Sequence, residues 1–92
     1  MPNVVTDNTA LNRYELITGD GLAFVGYRTA ANVRTLTHAE VPKAVEGHGL
    51  GSSLAQGALE LARAQGYRIV PQCPFIAAFI AKHPEFRDLV AR

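Results

Sequence analysis

Glu46-Gly47-His48-Gly49-Leu50-Gly51-Ser52 is the stretch from which the rest of the chain can be read. Three glycines alternate with other residues, and directly behind them the sequence takes on a helical period. Glycine lets a backbone turn through positive φ and lets a ligand come close to the amides. A helix start leaves four N–H groups without intrahelical partners and carries partial positive charge. A glycine loop that opens a helix is therefore a cradle for phosphate, or else a plain connection that only turns the chain. Its flanks have to decide.

Behind the loop, Leu50, Leu54, Ala58, Leu61 and Ala62 form one stripe, with Ser53, Gln56, Glu60 and Arg63 off it. That spacing predicts an amphipathic helix, which Gly66 stops at the C′ position. Tyr67 to Val70 reads as a short strand ended by Pro71. Cys73-Pro74 then opens a second helix, with proline at its first position, and Pro84 closes it. Phe75, Ile76, Phe79, Ile80 and His83 recur along this helix, and both phenylalanines are assigned to the core. Glu85 to Arg92 allows one last helical turn.

Ahead of the loop, Arg13 to Thr18 and Leu22 to Arg28 read as strands joined through Gly19-Asp20-Gly21, a hairpin signal. Ala30-Ala31-Asn32 supplies a second turn. Val33 to Val41 alternates, which places Arg34, Leu36, His38 and Glu40 on one face. Pro42 ends this third strand. Residues 1–12 are polar, lack sustained periodicity and are expected to form a flexible tail before a single domain at 13–92. The order is β-β-β-α-β-α. It predicts an α/β fold of the α+β type, with a mixed, mostly antiparallel sheet whose last strand runs parallel to the third.

The chain has 92 residues and 48% hydrophobic content, enough for one small core. Nine basic and eight acidic residues leave a net charge of +1 without a basic run, which gives no case for a nucleic-acid or membrane partner. No apolar stretch approaches the roughly 20 residues of a membrane span. The N-terminus lacks the pattern of a signal peptide, and a single cysteine, Cys73, excludes an internal disulfide. A cytoplasmic protein is expected; oligomeric state is left open. His38, His48, His83 and Cys73 have no ligand-pair spacing, so no metal site is expected.

The run Thr37-His38-Ala39-Glu40-Val41-Pro42, the glycine loop, Val70-Pro71-Gln72-Cys73-Pro74-Phe75 and His83-Pro84-Glu85-Phe86 together resemble the GNAT superfamily of N-acetyltransferases, in particular its small members of about 90 residues. The resemblance spans about residues 13 to 86. It implies that acetyl-coenzyme A is the co-substrate and that loop amides hold its pyrophosphate. The family's loop pattern falls here on Glu46, Gly49 and Gly51, with Glu46 where the pattern has Gln or Arg. The binding residues so implied are Val41, Glu46, Gly47, His48, Gly49, Leu50, Gly51 and Ser52, and the pantetheine arm would lie along His38 to Val41. Because Glu46 has the wrong charge for a diphosphate, the amides of Gly47 to Ser52 are expected to supply most of the grip.

Acetyl transfer requires that the amine lose a proton, that the thioester carbonyl be polarised and that the leaving thiolate gain a proton. His38 and Glu40 share a strand face about 7 Å apart by strand rise, and either can act as base. Cys73 stands at a helix start, a position that favours thiolate, and is the third catalytic candidate. The acceptor is a small amine or a protein. A trimmed fold that binds coenzyme A or a partner without turnover is the alternative reading.

Overall fold

The computed structural model describes residues 4–19, 21–42 and 49–91. Its elements run β1 (Val5–Asn8), β2 (Arg13–Thr18), β3 (Gly21–Ala30), β4 (Val33–Glu40), α1 (Leu50–Gln65), β5 (Arg68–Pro71) and α2 (Pro74–Lys82), followed by a 3₁₀ helix at Pro84–Leu89. The sheet has five strands in sequence order; β1 to β4 pair antiparallel and β5 lies parallel to β4. This is the mixed, mostly antiparallel α/β sheet expected, with the crossover through α1, but with one more strand at its start.

The extra strand is β1. Val5–Asn8 lies in the stretch read as a tail, yet it pairs with Leu16 to Arg13 and places Val5 in the core. Two features hold it. Gly57 in α1 has no side chain, and a Cβ there would collide with Val5, whose own Cβ would be 2.7 Å away. Asp7 reaches inward to Arg34, 2.7 Å from its guanidinium.

Arg34 is only 5% exposed, and every tyrosine of the chain gathers around it. Its guanidinium lies 4.0 Å from the Tyr27 ring centroid, 4.1 Å from that of Tyr67 and 5.6 Å from that of Tyr14. It donates to Asp7, to the Tyr14 hydroxyl and to Thr29 Oγ1. Tyr27 donates to Asp7, as does Gln65 from the end of α1. A buried ion pair is tolerated only when its remaining polar atoms are satisfied, and no described buried side-chain polar atom lacks a partner.

Leu54, Ala55, Ala58, Leu59 and Ala62 form the buried face of α1. They meet Tyr14, Leu16, Ala23, Val25, Tyr27 and Leu36 from the sheet and Ile76, Phe79 and Ile80 from α2 in one core cluster. The expected last turn of helix is a 3₁₀ segment, after which Val90 bridges to Ile69 and the Ala91 N–H donates to the Ile69 carbonyl at 2.8 Å. Arg63 fastens this segment by a forked contact to Asp88 and a bond to the Glu85 carbonyl. No described helix is long and apolar enough to cross a membrane.

Two outcomes follow. Gly57→Ala gains about 1 kcal/mol of helix propensity but overpacks against Val5 at a cost of about 1–3 kcal/mol. Urea unfolding will show a net loss of stability, and a more stable variant contradicts the β1–α1 packing. For Asp7, burial raises the carboxyl pKa, but hydrogen bonds from Tyr27, Arg34 and Gln65 outweigh it, and the net direction is down from 3.8. A folded pKa below the unfolded value gives stability that is present above about pH 4 and lost as pH falls through the folded value. Asp7→Ala strands the buried Arg34 charge and costs about 3 kcal/mol near neutral pH, and the difference from the parent narrows at lower pH. Parallel pH–stability curves contradict this.

Candidate functional site

The site begins where two neighbouring strands part. The β4–β5 ladder runs from Val33↔Arg68 to Leu36↔Pro71 and stops. Pro71 has no N–H for a further rung. The chain then turns away, with the Cys73 N–H donating to the Leu36 carbonyl at 2.9 Å. Strand β4 continues alone, paired to β3 through Glu40↔Phe24. Among the described residues, no strand pairs with its β5-facing edge from Thr37 onward.

At the same place β4 carries a bulge. Gly26 faces His38 while Tyr27 faces Leu36, so Thr37 is the extra residue, and its hydroxyl donates to the Gly26 carbonyl at 3.2 Å. An extra residue inverts the strand's alternation. Before the bulge Arg34 and Leu36 point to the core; after it Ala39 and Val41 do. His38 and Glu40 therefore point out of the opposite face. The sequence pattern put all of Arg34, Leu36, His38 and Glu40 on one face, and the bulge overturns that.

His38 and Glu40 do share a face, and they touch. His38 Nε2 lies 2.9 Å from Glu40 Oε2, with side chains 66% and 61% exposed. A carboxylate only accepts, so Nε2 carries a hydrogen, and in the neutral ring Nδ1 keeps its lone pair. The Phe24 ring lies edge-on to His38, centroids 6.5 Å apart, with Arg13 over its face at 4.7 Å. Cys73 is not part of this exposed pair. It is the N-cap of α2, 4% exposed, with its side chain among the core residues.

The helix start supplies the third component. Gly49, at φ 78°, is the N-cap of α1 in the left-handed conformation that glycine takes without strain. The Ser53 N–H closes the first helical bond onto the Gly49 carbonyl at 3.1 Å. The amides of Leu50, Gly51 and Ser52 thus precede the first intrahelical bond; among the described residues no side chain caps them, and the first turn of the helix carries no acidic residue. Glu46, Gly47 and His48 lie outside the described residues. Val41 is half-buried against the core, just beyond the end of β4.

One residue joins the parted strands to the helix start: Phe75. Assigned to the core from sequence, it is 40% exposed, and its ring lies over Gly51, where a Cβ would be 3.0 Å from Cζ. The reason is the geometry of α2. Ile76 and Ile80, with Cys73 before them, face the core, whereas Phe75, Ala78 and Lys82 form a second stripe. Hydrophobic spacing alone does not separate two adjacent stripes on a nine-residue helix.

A sheet of this order, with a crossover helix rising from a glycine turn and the strands separating beside it, matches a known family. The model of the GCN5-related N-acetyltransferases covers residues 13–89. The chain belongs to the GCN5-related N-acetyltransferase family. Its fold also superposes on the NMR solution structure of a GCN5-like protein from Staphylococcus aureus, with a TM-score of 0.71 at 23% identity, over 99% of this chain and 91% of that one. No curated protein matches the sequence significantly. Membership makes acetyl transfer the general chemistry to consider for this N-acetyltransferase fold.

Proposed function

We propose that the chain binds acetyl-coenzyme A in the cleft between β4 and β5 and transfers the acetyl group to an amine. The observation that carries this reading is the coincidence of a strand parted from its neighbour with a helix start that no described side chain caps, joined by Cys73 to Phe75. An extended amide-bearing arm pairs with a strand edge as another strand would. The edge of β4 from Thr37 to Val41 offers such a partner to pantetheine. A diphosphate suits the amides of Leu50, Gly51 and Ser52. In the family co-substrate the two groups are joined, and here the two sites are neighbours.

The transfer then needs a base. An ammonium acceptor must give up a proton before its nitrogen attacks the thioester carbon. A C–N bond forms as the C–S bond breaks, the second N–H proton passes to the departing thiolate so that coenzyme A leaves as thiol, and the base returns its own proton to solvent. In the His38–Glu40 pair, Glu40 holds Nε2–H, so Nδ1 accepts the proton, directly or through water. The pair lies on a sheet face to which the core helices contribute nothing, so the acceptor approaches from the side opposite α1. Burial argues against Cys73 as an acetyl carrier, since a thiol in the core is a poor nucleophile.

Calorimetry with acetyl-coenzyme A, followed by a transfer assay over a panel of amines and lysine peptides, tests both halves. Saturable binding is expected, with transfer to at least one acceptor. His38→Ala should then lower kcat by about 100-fold, with coenzyme affinity unchanged. Absence of binding at millimolar ligand contradicts the coenzyme reading. Binding without transfer to any acceptor makes the chain a binding module, and full activity of His38→Ala removes the pair from the chemistry.

A further inference from the structure

A shallow groove of about 190 Å³ opens beside the first turn of α1. It is lined by Ser52 from that turn and by Phe75, Ala78, Phe79, Lys82 and His83 from α2 and its cap. The α2 residues are spaced i, i+3, i+4, i+7 and i+8, so they form one continuous stripe. The stripe is aromatic at its start and basic at its end. His83 stacks on Phe79, with ring centroids 3.9 Å apart and planes 14° from parallel, and Nδ1–H donates to the Phe79 carbonyl at 2.9 Å. This fixes the floor. Lys82 is exposed at the far end and makes no hydrogen bond or ion pair with the described residues.

Phe75 and Lys82 stand outside the core cluster. Phe75 stays 40% exposed, with its ring over Gly51. The groove is smaller than the roughly 300–1,000 Å³ of a pocket that encloses a drug-sized ligand, and it suits one flat ring with an attached anion. Exposed aromatic faces take bases by stacking, and a lone ammonium takes phosphate as a point charge.

The geometry points to this groove as a selective site for a 3′-phosphorylated adenosine, with the base against Phe75 and Lys82 paired to the 3′-phosphate. The inference rests on the coenzyme reading above, because Ser52 belongs both to the groove and to the helix start assigned to the diphosphate. It adds a discrimination that the diphosphate site cannot make: coenzyme A is preferred to 3′-dephospho-coenzyme A. The groove is open to water, so the pair is a solvent-exposed one, worth at most about fivefold in affinity, or about 1 kcal/mol.

The test is calorimetry of the full chain with coenzyme A and with 3′-dephospho-coenzyme A, for the parent and for Lys82→Met. That substitution keeps the apolar stem at an exposed position. The parent is expected to prefer coenzyme A by about fivefold at low salt, with the preference shrinking as salt is added. Lys82→Met should bind the two ligands equally, with dephospho-coenzyme A bound as by the parent. Phe75→Ala should weaken both ligands by at least about fivefold, as loss of a base stack does. Equal affinities in the parent, or a preference that survives Lys82→Met, overturn the assignment while leaving the coenzyme site standing. Failure of either ligand to bind the parent overturns the coenzyme reading and the groove with it.

Discussion

Strand β4 has to satisfy two neighbours, and it satisfies one of them only in part. Along β3 it is paired to its end; along β5 it is paired only through Leu36. Pro71 enforces the stop, since it offers no N–H, and the Cys73 amide closes the ladder on the Leu36 carbonyl. Everything proposed for the site depends on this. The open edge exists because β5 leaves, and α2 begins where it does because the chain turns there. Phe75 reaches Gly51 only because α2 begins at Pro74. The bulge at Thr37 adds a change of phase, so that apolar Ala39 and Val41 face the core while His38 and Glu40 are delivered to the free face. Bulges beside functional sites commonly re-aim side chains in this way.

The other end of β4 is held by different means. Arg34 lies about 13 Å up the strand from His38, estimated from strand rise. There the buried guanidinium links β1, β2, β3 and the end of α1 through Asp7, Tyr14, Tyr27, Thr29 and Gln65. A domain this small has limited apolar burial to spend on rigidity. A satisfied polar network that bridges sheet and helix fixes the register of β4 at one end and leaves the other end free to meet a ligand. The division of labour is spatial: packing and charge are concentrated at Arg34, while among the described residues the parted edge carries no such constraint beyond Leu36.

Much of this was legible in the sequence. Gly19-Asp20-Gly21 and the runs around it located the β2–β3 hairpin, and Leu50 to Gly66 carried a full helical period with its stop. Pro74 and Pro84 bracketed α2 from both sides. What escaped is what tertiary contact decides. Strand β1 has one core anchor, Val5, and its place depends on a missing side chain at Gly57, fifty-two residues away. The bulge exists only in the pairing of β4 with Gly26, so the alternating pattern of β4 read straight through it. The burial of Arg34 could not be read from the sequence because its partners are scattered from Asp7 to Gln65. In the site, the shared face of His38 and Glu40 followed from their spacing, whereas their contact and the exposure of Phe75 did not.

The central claim is that ligand lies against the open edge of β4 and the start of α1. Backbone amide chemical shifts during a titration with acetyl-coenzyme A test it directly, residue by residue. The largest changes are expected on Thr37 to Val41, on Leu50 to Ser53 and on Cys73 and Phe75, with little change around Arg34. Changes centred instead on the polar hollow of Gln56, Gly57 and Glu60 on the side of α1, or spread over β1 and β2, would contradict it.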